Sequence, residues 1–541
     1  MCSGSAPDGM RIVGSRGAYL LAAVKRLALR RVTAAALAAV LWGCAGLPPG
    51  SGYPRAVSIR LAHPEETRLG SQAAAAARDH DGQSGFHIIT VGMDGLLIRA
   101  QMIDAAERTL DLQYFIFRGD TSGQLLTEAL RRAADRGVRV RILVDDGDTV
   151  AGDQQVLALD GRANIEVRVF NPFAYRGHAG FMRSLEFLFN ARRLDYRMHN
   201  KLLVADDAIA IVGGRNIGDQ YFQIDPESQL ADDDVFAAGP VANALSATFD
   251  NYWNSGLAIP ARALTRTGAQ AVSSVSMPPE LLARMAGGEP FAGLISGQLP
   301  WVWAHAQVVC DSPDKKRVLS GARAGRLMNP AVLQAAASAQ SELLMVTPYF
   351  IPAADEMQLL RNLRQHQVRV AILTNSLEAT PGMLAQSGYL QFRVPLLQEG
   401  IELYEARALL GNTHGSGQTA RISRYGNYAL HAKLFVFDRR QLFIGSMNFD
   451  MRSKRLNTEI GLIIDSPALA EQTARRFAAM VQPQNAYVLS LRPQEGTAAP
   501  QLIWHTEVDG KAIDYLREPA HSIWQRMEVH GLSLLPLTSE Q

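Results

Sequence analysis

Met198-His199-Asn200-Lys201-Leu202-Leu203-Val204-Ala205-Asp206, followed by Gly213-Gly214-Arg215-Asn216, returns later in the chain. The second copy is Leu430-His431-Ala432-Lys433-Leu434-Phe435-Val436-Phe437-Asp438, followed by Gly445-Ser446-Met447-Asn448. Both read H-x-K-x4-D, then a small pair opening with Gly, then Asn. A single H-x-K-x4-D fixes three positions and chance supplies it readily; two copies with the same trailing Gly and Asn are a strong signal. Other landmarks repeat with them. Tyr114-Phe115-Ile116 returns as Tyr349-Phe350-Ile351, Val138-Arg139-Val140 as Val368-Arg369-Val370, and Asn164-Ile165-Glu166-Val167 as Gly400-Ile401-Glu402-Leu403, each about 230 residues later. The chain carries an internal duplication.

Within each half, helical stretches alternate with short apolar strands: Leu110 to Phe117, Val138 to Val144 and Ile165 to Phe170 in the first, Leu343 to Ile351 opening the second. That alternation predicts an α/β fold, with two duplicated mixed α/β lobes packed as a pseudo-dimer and the active site at their interface. The lobes are expected at 86–255 and 326–483. Residues 256–325 find no counterpart and read as the connection between lobes, and 484–541 as a C-terminal extension with a hairpin turning at Asp509-Gly510. At 541 residues, 47% of them hydrophobic and 20% charged, the chain is long and apolar enough to give both lobes a core.

The first residues read as an address. A basic cluster from Lys25 to Arg31 precedes a short apolar run ending at Leu41-Trp42-Gly43-Cys44, too short to span a membrane. Residues 1–43 resemble a bacterial lipoprotein signal peptide, with Cys44 the residue that would be lipidated, and residues 44–85, rich in Ala, Gly and Pro, read as a tether. This places the mature chain in the bacterial cell envelope, lipid-anchored and facing the periplasm. Once Cys44 is acylated, Cys310 has no partner for a disulfide. Without residues 1–43 the chain holds 48 basic and 51 acidic side chains, which argues against a nucleic-acid partner.

The repeated motif carries the chemistry. Residues two apart on a strand share a face, so His199 and Lys201 project together, as do His431 and Lys433. Facing lobes would gather two imidazoles, two ammonium groups and the Asn216 and Asn448 amides around one phosphodiester. One neutral His would attack phosphorus, the other would protonate the leaving oxygen, and the lysines would offset phosphoryl charge. Asp206 and Asp438 complete the catalytic motif, although their place at a strand end also suits a turn-holding role. Asp234 trails the first motif as Glu459 trails the second if the first half carries a longer loop, which makes these two carboxylates the expected orienters of the histidines. No cluster has metal-ligand spacing and Lys is a poor ligand, so no metal is expected. Neither a nucleophile-elbow serine nor a P-loop is present.

At these residues the sequence resembles the phospholipase D superfamily, over nearly all of 86–480. Phe170-Asn171-Pro172-Phe173, Val212-Gly213-Gly214-Arg215-Asn216-Ile217-Gly218-Asp219, Thr374-Asn375-Ser376-Leu377 and Ile444-Gly445-Ser446-Met447-Asn448-Phe449-Asp450 look like bacterial cardiolipin synthases of the C type. The resemblance implies transphosphatidylation through a phosphohistidine, without cofactor, with His199 as nucleophile and His431 as general acid/base. It also implies phospholipid substrates (phosphatidylglycerol and a second phosphatidyl donor) met at a membrane surface. Hydrolysis with water as acceptor, by a phospholipase D or other phosphodiesterase, uses the same machinery and remains the alternative. The apolar and Arg-rich stretch Phe181 to Arg197 and the segment Ile523 to Leu535 are candidate membrane-facing surfaces.

Overall fold

The structure, a computed structural model, describes residues 49–534 apart from 148–153, 178–179, 226–227, 265–278, 287–289, 297, 409–427 and 495–499. The signal-like segment and Cys44 lie outside the described residues.

The first lobe contributes β1 (Ser84–Ile89), β2 (Thr109–Tyr114), β3 (Arg139–Asp145), β4 (Ile165–Phe170), β5 (Lys201–Ala205), β6 (Ile209–Gly213), the short β7 (Gln229–Ala231), β8 (Asp234–Ala238) and β9 (Ala258–Pro260). After the long β10 (Val302–Cys310), the second lobe adds β11 (Glu342–Val346), β12 (Arg369–Asn375), β13 (Glu402–Ala406), the short β14 (Tyr428–Leu430), β15 (Leu434–Phe437), β16 (Gln441–Gly445) and β17 (Ile460–Asp465). In the first lobe the spatial order is β9-β4-β3-β2-β5-β6-β8-β1, with β2, β3 and β4 parallel and the other neighbours antiparallel. In the second it is β13-β12-β11-β15-β16-β17-β10, with β11, β12 and β13 parallel. From β4 to β1 in the first lobe and from β13 to β10 in the second, the two orders match strand for strand.

The match corrects one expectation. The segment 256–325 is more than a connection, because β10 stands in the second lobe where β1 stands in the first. Its opening residues pair with β1 (Ala304 opposite Ser84) and the rest with β17 (Cys310 opposite Ile460). One strand therefore joins both halves into a single 18-stranded sheet. Sequence comparison misses it because only the backbone ladder, and no shared residue pattern, makes β10 equivalent to β1.

Alternation along the strands builds three cores. Val204, Val212, Val235 and Ala237 of the first lobe meet Val436, Leu442, Ile444 and Leu462 of the second in a shared central core, which also takes in Phe249 and Trp253 of helix Pro240–Trp253 and Phe477 of helix Pro467–Met480. Residues of opposite parity, such as Leu203, Ile211 and Phe236, pack under the outer helices Gly92–Ala105 and Thr121–Asp135, and Phe435, Phe443 and Ile463 do likewise in the second lobe.

The expected tether is docked where it is described. The Arg141 guanidinium donates to the Ser58 carbonyl at 2.8 Å, Arg168 to Ala56 at 3.0 Å, and the Arg60 amide donates to Asp250 at 2.9 Å. Arg141 and Arg168 are buried and need acceptors, which these carbonyls provide. In the C-terminal extension, β18 (Ala486–Arg492) pairs with β13 and extends the sheet edge. The hairpin β19 (Gln501–Val508) and β20 (Lys511–Tyr515) follows, and both turn residues, Asp509 and Gly510, have positive φ.

Candidate active site

His199 and Lys201 stand where the chain runs into β5, and His431 and Lys433 where it runs into β15. Both strand starts are tied across the lobes. The His199 amide donates to the Thr458 carbonyl at 2.9 Å, the His431 amide to Ala231 at 2.7 Å, and β14 pairs with β7. Each imidazole thus hangs from backbone that the opposite lobe holds.

The carboxylates cross over as well. Nδ1 of His199 lies 2.8 Å from Glu459 Oε2, and Nδ1 of His431 lies 2.5 Å from Asp232 Oδ2. A carboxylate at Nδ1 fixes the ring and leaves Nε2 as its reacting atom. Glu459 is itself held by the hydroxyls of Ser446 (2.5 Å) and Ser453 (2.9 Å), while its amide donates to Asp311 at 3.0 Å. Lys315, buried, binds Asp311 at 2.9 Å and the carbonyls of Ser453 and Asn457, which pins the loop that presents Glu459.

Asp234, expected to orient one of the histidines, is paired with neither. The ladders place Gly213 opposite Asp234 and Gly445 opposite Gly461, so the counterpart of Glu459 is Asp232, two residues earlier. Asp234 shares the face of Phe236, toward the outer core, and neutralises Arg99 (2.8 Å) and Arg215 (3.1 Å), both buried. The strand register is the signal that reveals Asp232. Gly214 fits the same picture, since a Cβ there would collide with the Asp232 carboxylate, whereas its counterpart Ser446 has room to bind the longer Glu459.

Asp206 and Asp438 sit at the far ends of β5 and β15 and do not join the site. Asp206 accepts backbone N–H bonds from Glu107, Arg108 and Thr109, and Asp438 from Gln340, Ser341 and Glu342. Each opens a two-residue turn in which both residues have positive φ, Asp206-Asp207 and Asp438-Arg439, the geometry a tight hairpin needs. These bonds are those of the turn-holding role that their place at a strand end suits.

Asn216 spends its oxygen on the Ile116 amide (3.2 Å) and one N–H on the Tyr221 hydroxyl (2.9 Å), which leaves one N–H for a ligand. Tyr221 in turn stands edge-on to His431 with ring centroids 5.3 Å apart, and Phe115 packs on His199 at 5.1 Å. The Asn448 side-chain oxygen is buried without a partner among the described residues. Sequence motifs named neither aromatic as a site residue.

The lysines of both lobes act on each imidazole. Burial, then the charges of Lys201 and Lys433, hold the His199 imidazole well below its usual range. Burial and Lys433 bring His431 to about 3, and burial brings Lys433 to about 8. Burial pushes Glu459 up to about 7. Burial also pushes Asp232 up, but its pairing with His431 and the Lys433 charge outweigh it and hold this carboxylate low. Both imidazoles rest neutral in the free protein. With 7% and 8% of their surfaces exposed, they remain reachable from outside.

The model of the family described as cardiolipin synthase, PLD-like domain, matches the chain twice, at residues 100–253 and 332–481. Cardiolipin synthase C of Escherichia coli (strain K12) is 35% identical over 484 residues, 87% of this chain and 99% of that protein. The chain belongs to this PLD-like family. Cardiolipin synthase A of Proteus mirabilis (strain HI4320) is 25% identical over 409 residues, covering 74% of this chain and 70% of that protein. The solved structure of phosphatidylserine synthase from Haemophilus influenzae Rd KW20 matches with TM-score 0.50 at 13% identity, over 77% of this chain and 92% of that one. This last likeness is one of fold. The family's two matched segments fall on the two lobes, and the H-x-K motif of each lies inside its segment.

Proposed function

We propose that this PLD-type phosphatidyltransferase forms cardiolipin, taking a phosphatidyl group from one phospholipid and passing it to the glycerol hydroxyl of phosphatidylglycerol. The observation that carries this reading is the crossed pairing of His199 with Glu459 and His431 with Asp232, which makes one reaction centre from two half-sites.

In this reading Nε2 of neutral His199 attacks phosphorus, and the bond from phosphorus to the leaving alcohol oxygen breaks. His431, with Asp232 at its Nδ1, gives the proton that this oxygen takes up. The bound phosphodiester anion, set between Lys201 and Lys433, offsets the ammonium charges that add to burial in keeping His431 unprotonated in the free protein, so that His431 takes up its proton from solvent as the substrate binds. His431 then accepts the proton of the incoming hydroxyl as that oxygen attacks phosphorus and the phosphorus–nitrogen bond breaks. Lys201, Lys433, Asn448 and the remaining N–H of Asn216 stabilise the phosphoryl oxygens. The chain's residues supply every proton transfer, with no cofactor and no metal.

Membrane association follows from the same kinship, and a lipid anchor at Cys44 in the envelope, facing the periplasm, would hold the enzyme at its two-dimensional substrate. No helix among the described residues is long and apolar enough to cross a membrane. The test supplies isotope-labelled phosphatidylglycerol to the purified protein with chelator present and identifies products by mass. Labelled cardiolipin supports transfer, whereas phosphatidic acid alone would establish hydrolysis, the alternative reading.

A further inference from the structure

Helix Gly180–Leu194 is inside-out. Its inward side chains are polar: buried Arg183 donates to the Asp146 carbonyl and lies 4.0 Å from the Phe173 ring, and Glu186 accepts the amides of Ala174 (2.7 Å) and Tyr175 (2.9 Å). Its outward side chains are apolar, with Phe181 74% and Leu188 71% exposed, and Met182, Phe187 and Phe189 exposed beside them. Phe181, Leu185, Leu188 and Phe189 follow helical spacing and form a stripe. A helix in water gains by the opposite arrangement, and contiguous apolar patches of this kind mark a contact with an apolar phase or partner.

A second helix, Ile523–Ser533, repeats the pattern in the other half. Gln525 donates inward to the Leu377 carbonyl at 2.7 Å and Arg526 to Glu518 at 2.8 Å, while Ile523, Trp524 (73% exposed) and Met527 face out. The helix it packs on, Met383–Tyr389, exposes Leu384 next to it.

Each stripe lies next to a segment that leads towards the reaction centre. The first helix ends at Leu194, and Asp195 immediately after it binds Arg452 at 2.7 Å, whose charge reaches His199. The Met383–Tyr389 helix follows Gly382, where a Cβ would stand 3.2 Å from the Tyr349 ring, in the Tyr349-Phe350-Ile351 string that answers Tyr114-Phe115-Ile116 of the first lobe, whose Phe115 packs on His199. Arg192 on the last turn of the first helix and Arg455 beside Arg452 are exposed cations. The first stripe, rimmed by these arginines, matches a surface of anionic headgroups over acyl chains.

We propose that helices Gly180–Leu194 and Ile523–Ser533 form an interfacial docking surface for a phospholipid bilayer, one on each half of the molecule, which seats the active site on the lipid plane. This deepens the proposed function and rests on it for its effect on turnover, but docking is measured separately from chemistry.

The full chain is reconstituted with vesicles of phosphatidylethanolamine and phosphatidylglycerol brominated in the acyl chains. Fluorescence quenching is then compared with that of a Trp524→Phe variant, to isolate the Trp524 signal. Docking predicts that Trp524 is quenched, whether or not the chain turns lipid over. A Phe181→Ser, Leu188→Ser, Phe189→Ser variant should lose about tenfold or more of its rate on bilayer substrate. Its rate on short-chain phosphatidylglycerol dispersed as monomers, and its melting temperature, should hold. An unquenched Trp524, or an unchanged bilayer rate in the variant, would overturn the proposal. A lowered melting temperature would assign the stripe to cover within the chain, a change in oligomeric state would assign it to a second copy, and a loss on monomeric substrate would assign it to support of the site. Each of these also overturns the proposal.

Discussion

Glu459 of the second lobe accepts a 2.8 Å hydrogen bond from Nδ1 of His199 of the first, and Asp232 returns the arrangement to His431 at 2.5 Å. Neither lobe holds both the imidazole and the carboxylate that orients it. Separation of the lobes therefore dismantles both half-reactions at once, and the shared core and the strand β10 keep them together.

The two acidic residues that flank Asp233 should respond in opposite ways. Asp232→Asn is expected to lower kcat by about 10²-fold or more, because His431 loses the group that sets its tautomer, while the melting temperature changes little. Asp234→Asn removes the charge opposite two buried arginines, and its cost is expected in stability, about 3 kcal/mol by denaturant unfolding. Equal kinetic losses in the two variants would contradict the register-based assignment.

The pH profile of kcat/KM should be narrow. Burial raises Glu459 to about 7, and below that pH the protonated carboxyl no longer holds Nδ1–H of His199, so the rate falls on the acid side. Burial lowers Lys433 to about 8, and above that pH its neutral amine no longer offsets phosphoryl charge, so the rate falls on the alkaline side as well. Glu459→Gln is expected to remove the acid limb and Lys433→Arg to move the alkaline limb upward. Rates on a monomeric substrate across this range would test both.

Asp206 and Asp438 belong to the signature motif, yet their carboxylates face main-chain amides at hairpin turns. Asp206→Ala strands buried N–H groups, at a cost of about 2–4 kcal/mol, and the more exposed Asp438 should cost less. Activity per folded molecule is expected to persist in both. Active-site titration combined with thermal unfolding separates lost protein from lost chemistry.

Lys315 lies outside both motifs but holds the loop of Glu459. Lys315→Met leaves Asp311 buried without its counter-charge, which should destabilise by about 3–5 kcal/mol. In the fraction that folds, the acid limb of the pH profile should shift, because Glu459 is no longer held in place. A profile identical to that of the parent would reduce Lys315 to a purely structural residue.

Duplication, lobe composition and the two His–Lys pairs were legible in the sequence because each is a local pattern: a repeated string, a strand-length apolar run, a two-residue spacing on one face. What escaped depends on how strands align in space. Asp232 and Asp234 are equally acidic and only two residues apart, and only the pairing of Gly213 with Asp234 decides which one meets a histidine. The equivalence of β10 with β1 is carried by backbone hydrogen bonds, which any residues can make, so no side-chain pattern announces it. Phe115 and Tyr221 read as ordinary core aromatics until the fold packs them against the imidazoles.

The sequence by itself determined the chemical inventory, one imidazole and one ammonium group in each half, because residue types and their spacing are written along the chain. Only the tertiary structure decided which carboxylate serves which histidine. That pairing crosses between lobes, and contacts between residues some 200 or more positions apart are set by strand register and shared burial rather than by any local string.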